Sequence, residues 1–175
     1  RGRVWVCENL NYETRRSDTF KEGPKGRIII LEDTDGDGHF DKKKVFAENL
    51  FFPTGLQVGF GGVWVACAPN ILFLADRNGD DRPDSKPEVI LDGFETDKVR
   101  HNIVNGLRWA PDGWLYGRHG ILGPGSKVGR PGTPEANRTH IQCGIWRYHP
   151  THKSFEIVCH GTTNPWGHDW DEHGQ

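Results

Sequence analysis

The chain of 175 residues carries 22 Lys and Arg against 24 Asp and Glu, a formal charge of −2, so no general electrostatic pull toward nucleic acid or an anionic membrane is expected. With 34% apolar residues, 23 glycines and no apolar run near the roughly 18 residues of a membrane span, the composition excludes a transmembrane helix bundle. No window sustains an i, i+3, i+4, i+7 apolar stripe either, so many short strands joined by turns are expected.

The first apolar run, Val4-Trp5-Val6, ends at Cys7, and Ile28 to Leu31 follows. Next comes Asp33-Thr34-Asp35-Gly36-Asp37-Gly38-His39-Phe40-Asp41, then a strand from Lys44 to Leu50. A tight, glycine-relieved turn with oxygens at alternate positions converges them on one point, the arrangement a hard cation needs. Asp33, Asp35, Asp37 and Asp41 hold positions 1, 3, 5 and 9 of such a loop, with Gly38 at the sixth. Lys44 stands where an EF-hand has its bidentate Glu, and the flanks read as strands, which excludes a true EF-hand. Calcium is expected here. The alternative is a hairpin loop whose aspartates cap backbone amides and bind nothing.

The pattern returns. Pro53-Thr54-Gly55-Leu56 opens a second unit, followed by Gly62-Val63-Trp64-Val65 and Ile71 to Leu74. Asp76, Asn78, Asp80 and Asp84 repeat the loop 43 positions after the first, and Glu88 to Leu91 closes the unit. This second loop is the weaker calcium candidate, because Asp81 replaces the glycine and Arg77 and Arg82 offset its charge. A third unit runs through Val104-Asn105-Gly106-Leu107, Gly113-Trp114-Leu115-Tyr116, Ile145-Trp146-Arg147-Tyr148 and Phe155 to Val158. Asn164-Pro165-Trp166-Gly167 begins a fourth.

Four strands per unit at a spacing of about 40 to 60 residues mark an all-β chain, a β-propeller of four-stranded antiparallel blades. Blade ends are expected near residues 50, 92 and 160, and the whole of 1–175 as one partial propeller. Three blades do not close a ring, and the chain starts at Arg1 without a methionine, so the remaining blades are expected outside this sequence. Two insertions interrupt the period. Glu95 to Asn102 lengthens the way into the third unit, and Arg118 to Gln142, carrying Arg118, His119, Lys127, Arg130, Arg138 and His140, splits it. The second either lines a functional mouth or is a disordered surface loop.

Cys7 and Cys67 end similar strands and are expected as core fillers; Cys143 and Cys159 flank a hairpin, as a cross-strand disulfide or as two buried thiols. His101, at the start of an innermost strand, is a candidate general base, against a hydrogen-bonded structural histidine. Strand alternation separates His168 and Trp170 from Asp169 and Asp171, so a shared metal ion with His173 is not expected.

The run from His101 through Pro111-Asp112-Gly113 to Tyr116 resembles the His-x-x-Gly-x-Leu-x-x-x-Pro-Asp-Gly-x-Leu-Tyr segment of the glucose and sorbosone dehydrogenases that use pyrroloquinoline quinone (PQQ), a family of six-bladed propellers. Gly144-Ile145-Trp146-Arg147 and Asn164-Pro165-Trp166-Gly167 resemble two further motifs of that family. The whole chain resembles still more the propeller of large bacterial proteins described as membrane-bound dehydrogenases, in which helical repeats and a c-type cytochrome domain often follow. The resemblance implies a quinoprotein oxidoreductase that moves hydride from a sugar or alcohol hydroxyl to PQQ. It implies His101 as general base, Asn164 among the cofactor contacts, and a cofactor calcium acting as Lewis acid, distinct from any calcium in the Asp-rich loops. It further implies a c-type cytochrome as electron acceptor and a periplasmic or otherwise extracytoplasmic location, with membrane attachment through regions outside this sequence. The chain departs from that family at Thr163, where an arginine is expected before Asn-Pro, and at Arg118-His119-Gly120 in place of a Gly-Asp motif. Thr163 favours the alternative, a calcium-stiffened propeller without cofactor that binds carbohydrate or protein. A lactonase-like hydrolase lacks a recognisable ligand set.

Overall fold

The computed structural model describes residues 2–10, 22–96, 103–120, 125–161 and 163–174. It is all-β, built from antiparallel sheets whose strands follow chain order. The first sheet holds β1 (Arg3–Glu8), β2 (Gly26–Glu32) and β3 (Lys42–Leu50). The second holds β4 (Pro53–Gly59), β5 (Gly62–Cys67), β6 (Asn70–Ala75) and β7 (Glu88–Leu91). The third holds β8 (Asn105–Trp109), β9 (Leu115–His119), β12 (Gly144–His149) and β13 (Ser154–His160), and the ribbon β10 (Ser126–Val128) and β11 (Thr139–Ile141) is inserted after β9. The strands end at 50, 91 and 160, beside the expected limits.

Local chemistry explains the hairpins. Between β4 and β5, Phe60 and Gly61 both take positive φ (54° and 77°), the two-residue turn whose twist suits paired strands. Phe60 holds this conformation with its ring 4.7 Å from Trp109.

The sheets stack face to face. Every residue of β5 is buried, because its two faces feed two cores. Val63, Val65 and Cys67 pack with Ile28, Ile30 and Phe46 of the first sheet, whereas Trp64 and Ala66 pack with Leu115 and Trp146 of the third. Burying a side chain of this size contributes about 1.5–3 kcal/mol.

The register defines an equivalence that glycine spacing misplaces by one residue. Gln57, two after Gly55, faces Trp64; Arg108, two after Gly106, faces Tyr116. Tyr116, not Leu115, is therefore the counterpart of Trp64, and Trp5 is the counterpart in β1. A one-residue slip exchanges the faces of a strand. In each sheet this aromatic points toward the next sheet: Trp5 into the core shared with the second, Trp64 into that shared with the third, Tyr116 onto His168 and Trp170.

Neighbouring sheets approach most closely at their first strands. Thr54 Oγ1 donates to Val104 O (2.5 Å), Gln57 Nε2 to Leu107 O (3.0 Å) and Trp109 Nε1 to Val58 O (3.0 Å). A Cβ on Gly55 would stand 3.3 Å from the Gly106 amide, so backbone meets backbone there. Farther out the second and third sheets part, leaving a cavity of about 520 Å³ lined by Phe73, Glu88, Arg130 and Tyr148 among others.

The insertion is neither wholly loop nor wholly surface. Arg118 and His119 belong to β9 and are buried, and the ribbon places Val128 and Ile141 in the core. Arg138 pairs with Asp92 at the end of the second sheet, fastening the insertion there. The segment around Trp166, expected to begin a fourth unit, forms no strand among the described residues.

Cys7 and Cys67 are the expected core fillers, their thiols pushed up to about 12 by burial. Cys143 and Cys159 form no disulfide, which corrects the disulfide alternative. They are not a buried pair either: Cys159 is exposed and stands opposite Ile145, two residues along the strand from Cys143, which faces Gly161.

Candidate functional site

A cavity of about 600 Å³ opens beside the first strands, between β8, β9 and the segment carrying Trp166, Gly167 and His168. Its floor is Arg118. Strand alternation sends Leu115, Gly117 and His119 toward the second sheet, where Gly117 makes room for the Trp146 ring. It sends Tyr116 and Arg118 the other way, beneath residues 166–170.

The space for Arg118 is made by glycine. Gly106 has φ 60°, and a Cβ there would overlap the guanidinium; a Cβ on Gly167 would lie 3.7 Å from Nη1. At the equivalent level of the second sheet stands Ala66, opposite Gly55. A fully buried methyl in one repeat is thus a guanidinium in the next.

Arg118 is 9% exposed, and its Nε and Nη1 atoms have no hydrogen-bond partner among the described residues. Burial weakens its hold on the proton, yet guanidinium stays charged in proteins. Arg108, at the same cavity, is already ion-paired with Asp169 (2.8 Å) and lies over the Trp170 ring. Both ring nitrogens of His168 are likewise buried with no hydrogen-bond partner among the described residues. Burial first, then the Arg118 and Arg108 charges, push the His168 pKa down to about 4, so its ring is neutral at pH 7. The rim includes Trp109 and Trp166, the latter 64% exposed. A buried cation without a counter-charge costs several kcal/mol, about the desolvation of one ion. The cavity is therefore suited to an anion.

The expected residues are distributed as follows. His101 lies outside the described residues. Asn164 is exposed, with φ 67°, and does not line the cavity. Asp33, Asp35 and Asp37 each bring a carboxylate oxygen within 4.8 Å of the others. Asp41 instead accepts the Thr34 amide (3.2 Å) and hydroxyl (2.5 Å). Asp33 also accepts the Gly36 and Gly38 amides, at 2.7 and 3.0 Å.

The second loop copies this frame. Asp84 accepts the Arg77 amide (3.0 Å) as Asp41 accepts that of Thr34, and Asp76 accepts the Asp80 amide (3.1 Å). Asn78 and Asp80 hydrogen-bond to each other (3.2 Å) instead of joining a carboxylate cluster. Asp81, where the first loop has Gly38, turns to the first sheet and binds Arg3 and Lys44, each at 2.5 Å. Burial opposes its ionisation, but those hydrogen bonds hold its carboxyl below the usual range.

His168, Asp169, Asp171 and His173 form no cluster: Asp169 goes to Arg108 and Asp171 accepts the His173 amide (2.9 Å). Sequence reasoning named Arg118 only as part of the insertion and His168 only in the weighed His/Asp cluster, and did not bring the two to one cavity. Continuing the β9 alternation two residues past Tyr116 would have buried Arg118.

Fold and site together define an all-β protein of stacked antiparallel meanders with a cationic cavity at their first strands. The chain matches, over residues 1–175, the family described as a domain of unknown function, DUF7133, and belongs to it. No curated protein and no solved structure matches it.

Proposed function

We propose that the three sheets are consecutive blades of a β-propeller turned about an axis beside β4 and β8, and that the protein is a quinoprotein oxidoreductase. The observation that carries the fold half is the fan: each meander passes directly to the next, and neighbours touch at first strands and part outward. The redox half rests on the resemblance around His101 and Pro111-Asp112-Gly113, and the cavity is compatible with it. PQQ is a flat tricarboxylate, and two guanidinium groups flanked by indoles suit that charge and shape. When bound, PQQ would supply the two-electron acceptor. His101 would take the proton of a sugar or alcohol hydroxyl, and a c-type cytochrome would receive the electrons in an extracytoplasmic compartment.

Calcium belongs to this reading in the first Asp-rich loop, where three carboxylates already converge. One observation favours a second reading, a non-catalytic calcium-bound propeller that binds carbohydrate or protein. Thr163 and Asn164 are both exposed and away from the cavity, although the family's cofactor contacts are expected there. Dye reduction by the full-length protein, with PQQ and calcium over a panel of aldoses and alcohols, decides between them. Turnover that requires PQQ and disappears in His101→Ala supports the oxidoreductase; absence of both turnover and PQQ binding leaves the binding propeller.

A further inference from the structure

The cavity between β8, β9 and residues 166–168 presents three demands that none of the described residues meets. Arg118 is nine-tenths buried, packed over Gly106 and near Gly167, with two nitrogens unpartnered among the described residues. A planar fork of N–H donors matches a carboxylate better than any other small anion of biology except phosphate. His168, beside it, is neutral at pH 7, so its ring holds one N–H donor and one lone pair, and neither is used. The two nitrogens point away from each other, so one ligand group meets only one of them, and a hydroxyl suits either, donating to the lone pair or accepting from the N–H. Trp166 stands at the rim with most of its indole in solvent, a flat apolar face. The third demand is thus for a ring with a C–H face.

We infer that this cavity binds a sugar acid, with its carboxylate in the Arg118 fork, a ring hydroxyl on His168 and its C–H face across Trp166.

The volume, about 600 Å³, lies in the range of small-ligand pockets. The departure from the repeat supports the assignment: the second sheet fills the same level with Ala66, so Arg118 is not required for sheets of this kind to stack. The inference extends the sugar side of the proposed function and assigns to a sugar acid the Arg118 fork that its redox side would give to a PQQ carboxylate, so the test sets the two ligands side by side.

The test is calorimetric titration of the full-length protein with D-glucuronate, D-glucose and PQQ, without any electron acceptor. Glucuronate is expected to bind and glucose to bind at least tenfold more weakly. Losing a charge-assisted bidentate contact weakens binding about 100-fold in Arg118→Gln and about tenfold in Arg118→Lys, which keeps the charge but not the fork. His168→Phe weakens glucuronate but not acetate. Arg118→Gln should also melt no lower than the unsubstituted protein, because it removes a buried charge that nothing answers.

Equal affinity for glucose and glucuronate overturns the inference, as does glucuronate binding that survives Arg118→Gln. So does PQQ binding that depends on Arg118 while glucuronate does not bind, which makes the cofactor the source of the carboxylate. An Arg118→Gln protein that melts lower overturns it too, showing that the guanidinium is paired by an acid elsewhere in the protein. Dye reduction failing while Arg118-dependent glucuronate binding persists would sink only the oxidoreductase reading.

Discussion

Replacing Gly106 by alanine tests how the cavity is built without touching its charge. Gly106 sits at φ 60°, where an L side chain costs about 1–2 kcal/mol. The new Cβ would also overlap the Arg118 guanidinium, an overpacking that costs about 1–3 kcal/mol more. Gly113→Ala provides the control, since it has φ 81° but nothing within 4 Å of its Cβ and bears the conformational cost alone. Chemical denaturation of the full-length protein should therefore rank Gly106→Ala below Gly113→Ala by about 1–3 kcal/mol. Adding Arg118→Ala to Gly106→Ala should recover most of that difference, because the clash then has no second partner, and the double-mutant cycle reads the coupling directly. Equal stabilities for the two glycine variants, or a cycle with no coupling, would refute the placement of Arg118 over Gly106.

Trp146→Ala should destabilise by about 3–5 kcal/mol in the same assay, since the ring is fully buried between Phe94 and Phe155 in the space that Gly117 leaves. His119 and His168 are both held near pKa 4 against an ordinary 6.5, chiefly by burial. Between those values the unfolded chain binds protons that the folded one refuses, so stability falls as pH drops from about 6.5 toward 4. His168→Asn should flatten that slope by the share of one proton, with His119 keeping the rest; an unchanged slope would place His168 in water. Millimolar calcium should raise the melting temperature, and Asp35→Asn should abolish the rise without lowering the calcium-free value, because among the described residues Asp35 accepts one bond, from the Asp37 amide.

Much of the architecture is visible in the sequence because apolar runs here are short and sharply punctuated. Ile28 to Leu31 stands between Gly26 and Asp33, and Ile71 to Leu74 between Pro69-Asn70 and Asp76, and each became the β-strand expected. The exact register was less visible. Gly62 begins a strand, whereas Gly113 sits in the turn before one, donating to Ala110 O (3.0 Å), so aligning the two glycines shifted Trp64 onto Leu115. Arg118 was hidden for a related reason: its neighbours Gly120 and Pro124 suggest a loop, but pairing with β12 carries β9 through His119. Asp81 read as a defect in a calcium loop. Only the neighbouring sheet reveals its partners, Arg3 and Lys44, which are 78 and 37 positions away in sequence.

The shared direction of Trp5, Trp64 and Tyr116 gives the array a polarity. Each sheet presents an aromatic knob on its forward face, and the second and third sheets receive their predecessor's knob on the rear face, so a run of such sheets has two unlike ends. A ring satisfies them by bringing the last knob to the first socket. Any break in the ring creates a complementary head and tail on one molecule, and such surfaces join molecule to molecule without a natural stop. In the proposed propeller, closure would then be a condition of solubility as well as of stability, and a variant that merely loosens one seam would be met first as a filament or an aggregate rather than as an unfolded chain.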